Sequence, residues 1–595
     1  MTSPSSPASS VPDWPHCGVG ADTADPIGCI GRSVAPHNAC LAHLDDADRA
    51  TYLANLASGA DVDHSGTVFA DSLLSRLLDA VRDPETGHPR LGKTSFKGAT
   101  FSVDAEFGHT AFSGDANFDD ATFVGSALFQ RAFFSGGVWF TDATFASTAR
   151  ANRYDACANF RFTEFSRTAW FADAEFHGGV TFEYSTFRGG AEFPGVKFSG
   201  DVRFDEALIF SVAQFREAAF DSASQLGPLH CEEKMNFSRA TFGSPVTIEA
   251  KVPHLKCRKT RWTSNSALRL CSTTVDLTDA IVEAPLTVSF HPTVLAIRGV
   301  TRRYLDEAGL LRYPDVRVTS LSGVDVAHVV LTDIDLSQCR FTGTVHLDQL
   351  RLEGRCTFAS SPAFLHRQGW RLIRWTPRRT LAEEHIWRAS QGAAGWEDDI
   401  PDPLYDPWDG PETVGPKDLG PLYRQLRKSL EDSKNEPDAA DFYYGEMEMR
   451  RHDRGRPLGE RALLSTYWMI SGYGLRASRA LAWLLLAIAS TVFAMMLWGL
   501  PQNAPNPTTT GQLIGNDIRL TTHSPDPRNP GGPLNGRLTA DRWEKSMRIV
   551  VNSVVFRSSD QNLTTFGTYV EMASRLGEPV LLGLGVLAIR GRVKR

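Results

Sequence analysis

Large apolar residues recur along the first half of this chain at spacings of five and six in alternation. One run is Phe96, Phe101, Phe107, Phe112, Phe118, Phe123, Phe129, Phe134, Phe140 and Phe145; a second passes through Phe160, Phe165, Phe171, Phe176, Phe182 and Phe187 to Phe204. Two positions before each stands a small or β-branched residue, as at Ala99, Ala105, Thr110, Ala116 and Ala121. A helix repeats its apolar residues every three or four positions and a strand every two. Spacings of five and six predict a chain that turns a corner at each step, with residues i−2 and i inward and the rest outward. Four sides make one coil of about 20–22 residues, and stacking the coils sets ring upon ring. Burying one Phe contributes about 1.5–3 kcal/mol. Ordering the backbone costs about 1–2 kcal/mol per residue, so such a coil is stable only within a stack.

The pattern keeps phase at Phe237 and Phe242, blurs between 248 and 315, and returns at Leu321, Val326, Leu331, Leu336, Phe341, Leu347, Leu352 and Phe358. With Ser-Gly-Asp corners such as 113–115 and 199–201, it resembles the Phe-centred form of the pentapeptide-repeat family. That resemblance implies a right-handed, four-sided (quadrilateral) β-helix, a mainly β solenoid. The family's strict period is five, so the sixth residue here predicts different corner geometry on two of the sides. The solenoid is expected over 92–360, interrupted near 291–315. Segment 1–91 is expected to be an N-terminal cap, with two short helices between 41 and 80.

The C-terminal part has another pattern. Residues 481–500 (LAWLLLAIASTVFAMMLWGL) carry no charge, and 20 helical residues span about 30 Å, a bilayer's hydrocarbon thickness. A shorter apolar stretch, 579–589, reaches spanning length if its helix begins near Val570 and tolerates Glu571, Arg575 and Glu578. One or two transmembrane helices are therefore expected. Arg450, Arg451, Arg454, Arg456, Arg461, Arg476 and Arg479 precede the first stretch, and Arg590, Arg592, Lys594 and Arg595 follow the second. By the positive-inside rule both flanks read as cytoplasmic and loop 501–541 as external. With no charged-then-apolar leader at the N-terminus, the solenoid is expected on the cytoplasmic side of the cell membrane. Between solenoid and membrane lie a Pro- and Trp-rich linker (361–416, with a short helix near 382–388), a helical pair broken at Pro437 (417–452) and a basic juxtamembrane segment (453–479); the membrane domain follows at 480–595.

This layout resembles the two-transmembrane potassium-channel architecture: span, external loop, amphipathic pore-like helix at 543–556, span. The resemblance implies an ion filter at Leu563-Thr564-Thr565-Phe566-Gly567. The Thr-Val-Gly-Tyr-Gly strand whose carbonyls coordinate potassium is absent there. The expectation is a degenerate channel-like domain that serves as an anchor.

Composition narrows the chemistry. Net charge is −7, too mild to name a partner. The nine cysteines, odd in number, argue against a secreted disulfide scaffold. Cys17, Cys29, Cys40 and His43 follow a C-x11-C-x10-C-x2-H spacing and are candidate ligands for a structural zinc, with His37 as a substitute. Small buried apolar cysteines are the alternative reading. No phosphate-binding, hydrolase or metalloprotease motif occurs, so no catalytic or cofactor-binding residue is assigned. The remaining assigned positions are the inward rings of the repeat, Phe101 to Phe140 and Phe165 to Phe182. The expected function is a membrane-anchored, non-enzymatic interaction protein with a cytoplasmic protein partner; self-association stays open. A channel with a regulatory solenoid is the first alternative. A DNA mimic that binds a topoisomerase is the second, disfavoured because Arg131, Arg150, Arg153, Arg161, Arg167 and Arg188 interrupt any acidic stripe, and no nucleic-acid partner is expected.

Overall fold

The computed structural model describes residues 12–148, 156–291, 316–362, 366–368, 371–373, 375–396, 414–502, 506–514, 517–523, 525–555 and 563–593. The interruption expected near 291–315 lies almost wholly outside them. The chain forms two compact units: Met1–Val414 with Gln425–Lys434, and Gly415–Arg424 with Asn435–Arg595.

The first unit is a parallel β-solenoid. Its short strands stack into sheets of 11, 12, 10 and 5 strands. Register follows the Phe period: Phe112 pairs with Phe134, Phe134 with Phe165, and Phe165 with Phe187. The Phe side chains and the residues two before them are buried, with Phe107, Phe112, Phe118, Phe129, Phe134, Phe140, Phe165, Phe171 and Phe182 at 0% exposure and Phe101, Phe123 and Phe176 at 1%. Rings in register stack face to face, 4.8 Å apart for Phe101–Phe123 and for Phe123–Phe145, and 4.9 Å for Phe118–Phe140. Isolated aromatic pairs prefer offset or edge-on contacts. Here the separation between hydrogen-bonded strands, about 4.7–4.9 Å, imposes the stack. Neighbouring columns meet edge-on, as Phe107 and Phe118 do at 81°.

The alternation of five and six has a backbone cause. Each five-residue corner holds a left-handed residue two after the large one: His109, Asp120, Arg131 and Asp142 have φ between 55° and 59°. This closes a tight turn in which Ala121 N–H donates to the Phe118 carbonyl (3.1 Å). The six-residue corners lack that residue. At several of them an Asp carboxylate accepts a backbone N–H from the next coil, Asp104 from Ser126 (2.7 Å) and Asp115 from Gly137 (3.0 Å).

Three departures from expectation stand out. The solenoid begins inside the segment expected to be only a cap, because Val62–Asp63 pairs with Thr94–Ser95 and Val68–Phe69 with Thr100–Phe101. His64 occupies a Phe position there, which hid this coil from a search for Phe. The cap itself contributes helices α1 (Asp46–Ala54) and α2 (Leu73–Ala80). Next, the blurred stretch is regular in another way. The five-stranded sheet stops at Val202–Arg203, and one longer strand per coil then runs where two short ones ran: Val246–Lys251, Ser266–Cys271 and Leu286–Phe290. These strands alternate buried and less buried residues, the period-two pattern of a straight strand, so the five-residue phase is lost and four sides become three. Last, much of the expected linker is folded. Strands Ala359–Ser360 and Arg379–Thr380 pair antiparallel, and α3 (Ala382–Ser390) sets the Glu383 carboxylate to accept the N–H of Phe341 in the final coils. Buried Glu384 bonds Arg378 (2.5 Å) and Arg388 (2.6 Å). Two acceptors and two guanidinium groups together meet the demand of a charged cluster that burial would otherwise penalise. Residues 397–413 of that linker lie outside the described residues.

Helix α4 (Pro416–Asp432) belongs to both units. In the first, Lys428 reaches Asp348 (2.7 Å) and Ser429 donates to the Leu350 carbonyl (2.6 Å). In the second, Tyr423 packs edge-on against Phe442 of α5 (Glu436–His452), whose first turn carries Pro437, where a missing N–H is harmless. Segment 453–479 contains a helix that its basic composition obscured, α6 (Leu458–Ser471). Then come α7 (Ala477–Ala494), a π-helical turn at Met495–Gly499, a hairpin of Thr508–Ile514 and Asp517–His523, α8 (Ala540–Val555) and α9 (Thr565–Val593).

Candidate functional site

The four N-terminal candidate ligands converge. The sulfurs of Cys17, Cys29 and Cys40 and a ring nitrogen of His43 all lie within 4.8 Å of one another. Cys17 and Cys29 sit on facing backbone segments held by Cys17 N–H to the Gly31 carbonyl (2.8 Å) and Gly18 N–H to the Cys29 carbonyl (2.9 Å). Cys40 and His43 share one turn, closed by His43 N–H on the Cys40 carbonyl (2.9 Å). Arg49 of α1 clamps that turn by donating to the carbonyls of Leu41, Ala42 and Leu44. The side chain of Asp45 caps α1 through the N–H of Asp48 (2.8 Å). His37, the substitute ligand, instead faces Asp48 (3.2 Å).

Three of the cluster's six edges are 3.8 Å between Cys29 Sγ and Cys40 Sγ, 3.4 Å between Cys40 Sγ and His43 Nδ1, and 3.5 Å between Cys17 Sγ and His43 Nδ1. None of the cysteines is in a disulfide. Burial and the neighbouring Cys29 push the Cys40 thiol up to about 12. Burial also raises Cys29, while the N–H of Gly31 acts in the opposite sense. Gly31 is the residue that spacing alone missed: a Cβ there would lie 2.9 Å from Cys40 Sγ and 3.3 Å from Cys29 Sγ. The other cysteines lie in or beside the solenoid core, where burial raises Cys257 and Cys339 further.

In the second unit, α7 with its π-helical turn (Ala477–Gly499) and α9 (Thr565–Arg590) are long and apolar enough to cross a membrane. Leu481 would meet a Cβ at Gly585 at 3.5 Å, and Thr491 Oγ1 donates to Glu578 (2.9 Å). The π-helical turn leaves carbonyls unpaired, and two arginines satisfy them. Arg542 of α8 donates to Met496 (2.7 Å) and Leu500 (2.9 Å), and Arg537 to Leu497 (2.9 Å). The segment expected to resemble an ion filter is not an extended strand. Thr565, Phe566 and Gly567 form the first turn of α9. Thr564 Oγ1 donates to the Trp498 carbonyl (2.7 Å), and a Cβ on Gly567 would sit 2.5 Å from the Gly499 oxygen. This is helix-end packing of the kind small residues permit.

The outer solenoid faces carry ion pairs that link coil to coil: Arg188–Glu164 (2.6 Å), Lys197–Glu175 (2.6 Å), Arg161–Glu183 (3.0 Å) and Arg239–Glu217 (3.0 Å).

Residues 107–150 match a family model described as pentapeptide repeats (9 copies). No curated protein matches the chain. Residues 107–150 of the β-solenoid thus carry pentapeptide repeats, and the same Phe spacing is present before them from Phe96 and after them from Phe160 to Phe204.

Proposed function

We propose that this protein is membrane-anchored and non-enzymatic, with its pentapeptide-repeat solenoid as a protein-interaction surface on the cytoplasmic side. One observation carries the reading. Helices α7 and α9 pack along each other, yet Leu485 (67% exposed), Phe493, Leu576, Val586 and Leu587 face outward. Exposed apolar side chains of this kind suit lipid. The arginines before α7 and after α9 support cytoplasmic flanks. The helical start of α9 and the fastening of Thr564 to Trp498 support an anchor over a conducting pore. The coil-to-coil ion pairs alternate in sign, which suits a protein partner better than the acidic face of a DNA mimic.

The test is fractionation and topology. The full chain should stay in membranes washed with alkaline carbonate. A reporter in the 506–523 hairpin should be accessible from outside, and one before Asp45 should not. Release by carbonate, or the opposite reporter pattern, overturns the reading. A channel draws on a single observation, the Glu578–Thr491 contact inside the apolar pair, because ionisable groups there often serve ion paths. Unitary currents from purified protein in planar bilayers would replace the anchor with a channel.

A further inference from the structure

We propose that Cys17, Cys29, Cys40 and His43 bind one structural Zn(II), and that this ion holds residues 12–44 on the first coil of the solenoid. Zinc bonded tetrahedrally to sulfur at about 2.3 Å and to nitrogen at about 2.0–2.1 Å has edges of about 3.8 Å (S to S) and about 3.5 Å (S to N). Three of the six edges are 3.8, 3.4 and 3.5 Å, and the remaining ones lie within 4.8 Å. A disulfide needs sulfurs about 2.05 Å apart, far closer than the pair Cys29 and Cys40. Three thiolates and one imidazole form a soft donor set of the type that selects zinc.

The backbone supports the same conclusion. Gly31 has no side chain where one would press on both sulfurs. Among the described residues no other group of Cys, His and carboxylates converges this way.

What the ion does follows from what the segment lacks. Residues 12–44 contain no helix or extended strand, only two isolated bridges, His16 with Arg32 and Ser33 with Cys40. So short a segment cannot fold on its own core, and metal binding supplies that free energy. The segment lies against the first coil: Arg32 N–H donates to the Ser65 carbonyl (2.7 Å), Arg32 pairs with Asp63 (3.1 Å), and the Ile30 carbonyl lies where Gly66 would carry a Cβ. It covers an edge that solenoids must protect.

The full chain, purified in detergent under reducing conditions without chelator, should contain about one zinc by elemental analysis. Replacement by Co(II) should give the visible bands of a tetrahedral site and a near-ultraviolet thiolate charge-transfer band. Cys17→Ser and His43→Ala should weaken zinc binding more than about 100-fold, beyond the usual effect of outer-shell changes. His43→Cys should retain the metal, and so should Cys356→Ser in the solenoid. After chelation, amide exchange should accelerate over residues 12–44 and stay unchanged over the Phe coils. Less than about 0.2 zinc per chain after zinc is resupplied overturns the proposal. So do iron in place of zinc, unchanged exchange after chelation, or a Cys29–Cys40 disulfide that leaves seven titratable thiols where the sequence has nine.

Discussion

The Phe-rich coils and the later aliphatic coils share one architecture with different interiors. Early coils have four short strands, Phe in every column and alternate corners of five and six. In the coils between Gln225 and Phe290, two sides merge into one strand of 5 to 7 residues. A single column runs through both regions: Phe215, Phe237, Cys257, Leu277 and Leu321, linked by ladder bonds such as Phe237 N–H to Lys256 and Cys257 N–H to Asp276 (both 2.7 Å). The left-handed corner persists too, at Arg239, Lys259 and Asp279. Inter-coil backbone bonds and that corner therefore define the solenoid. The side chains only need to fill it, and Phe is one solution.

Four experiments probe the comparison, in order of decreasing effect. Phe123→Asp sets an unpaired charge between stacked rings and should destabilise the solenoid by several kcal/mol. Leu268→Asp should do the same in an aliphatic coil. A melting assay in which either variant is near wild type breaks the claim that both interiors are dry.

His64 is a titratable group at the head of a Phe column. It is fully buried beside Phe69 and Phe96, with Tyr52 Oη 3.4 Å from Nε2. Burial lowers its pKa from 6.5 to about 4, against the opposing pull of Asp63. The unfolded chain therefore takes up the proton first. Stability from a neutral His64 is complete above pH 6.5 and falls as pH drops toward 4, by at most about 3 kcal/mol. His64→Phe, which completes the column, should flatten that part of a Tm–pH profile relative to wild type. Parallel profiles count against a neutral buried imidazole.

Exchanging interiors gives a smaller effect. Leu268→Phe overfills a strand fitted to aliphatic residues, and about 1–3 kcal/mol of destabilisation is expected. Phe123→Leu should lose about 1 kcal/mol, because a smaller side chain keeps most of the contact. If both are neutral in denaturant melts, the two interiors are interchangeable and the comparison loses its content. The smallest effect belongs to the shared corner. Asp120 is exposed at φ 57°, so Asp120→Val should cost about 1–2 kcal/mol and Asp120→Gly should be neutral or stabilising. Equal melting temperatures would remove the strain argument.

The sequence showed the Phe coils clearly because a solenoid repeats one environment, so each inward position states the same requirement again. It concealed the first coil, where His64 does the work of a Phe, and the merged strands, where a straightened corner changes the period from five to two. It also concealed α6, whose charges read as a basic flank, and the folded part of the linker, where Arg378, Glu384 and Arg388 satisfy one another out of water. At the candidate metal site the four ligand types and the Cys-x2-His pair were legible, but Gly31 and the clamp of Arg49 were not.

By itself, then, the sequence determined the stacked coils, the inward rings and the two apolar helices, because each rests on local period or length. Only tertiary structure decided that the blurred coils have three sides, that Thr565, Phe566 and Gly567 begin a helix, and that Cys17 and Cys29 meet the Cys40–His43 turn. Those outcomes depend on backbone bonds and close approaches between residues far apart in the chain, and spacing carries no record of them.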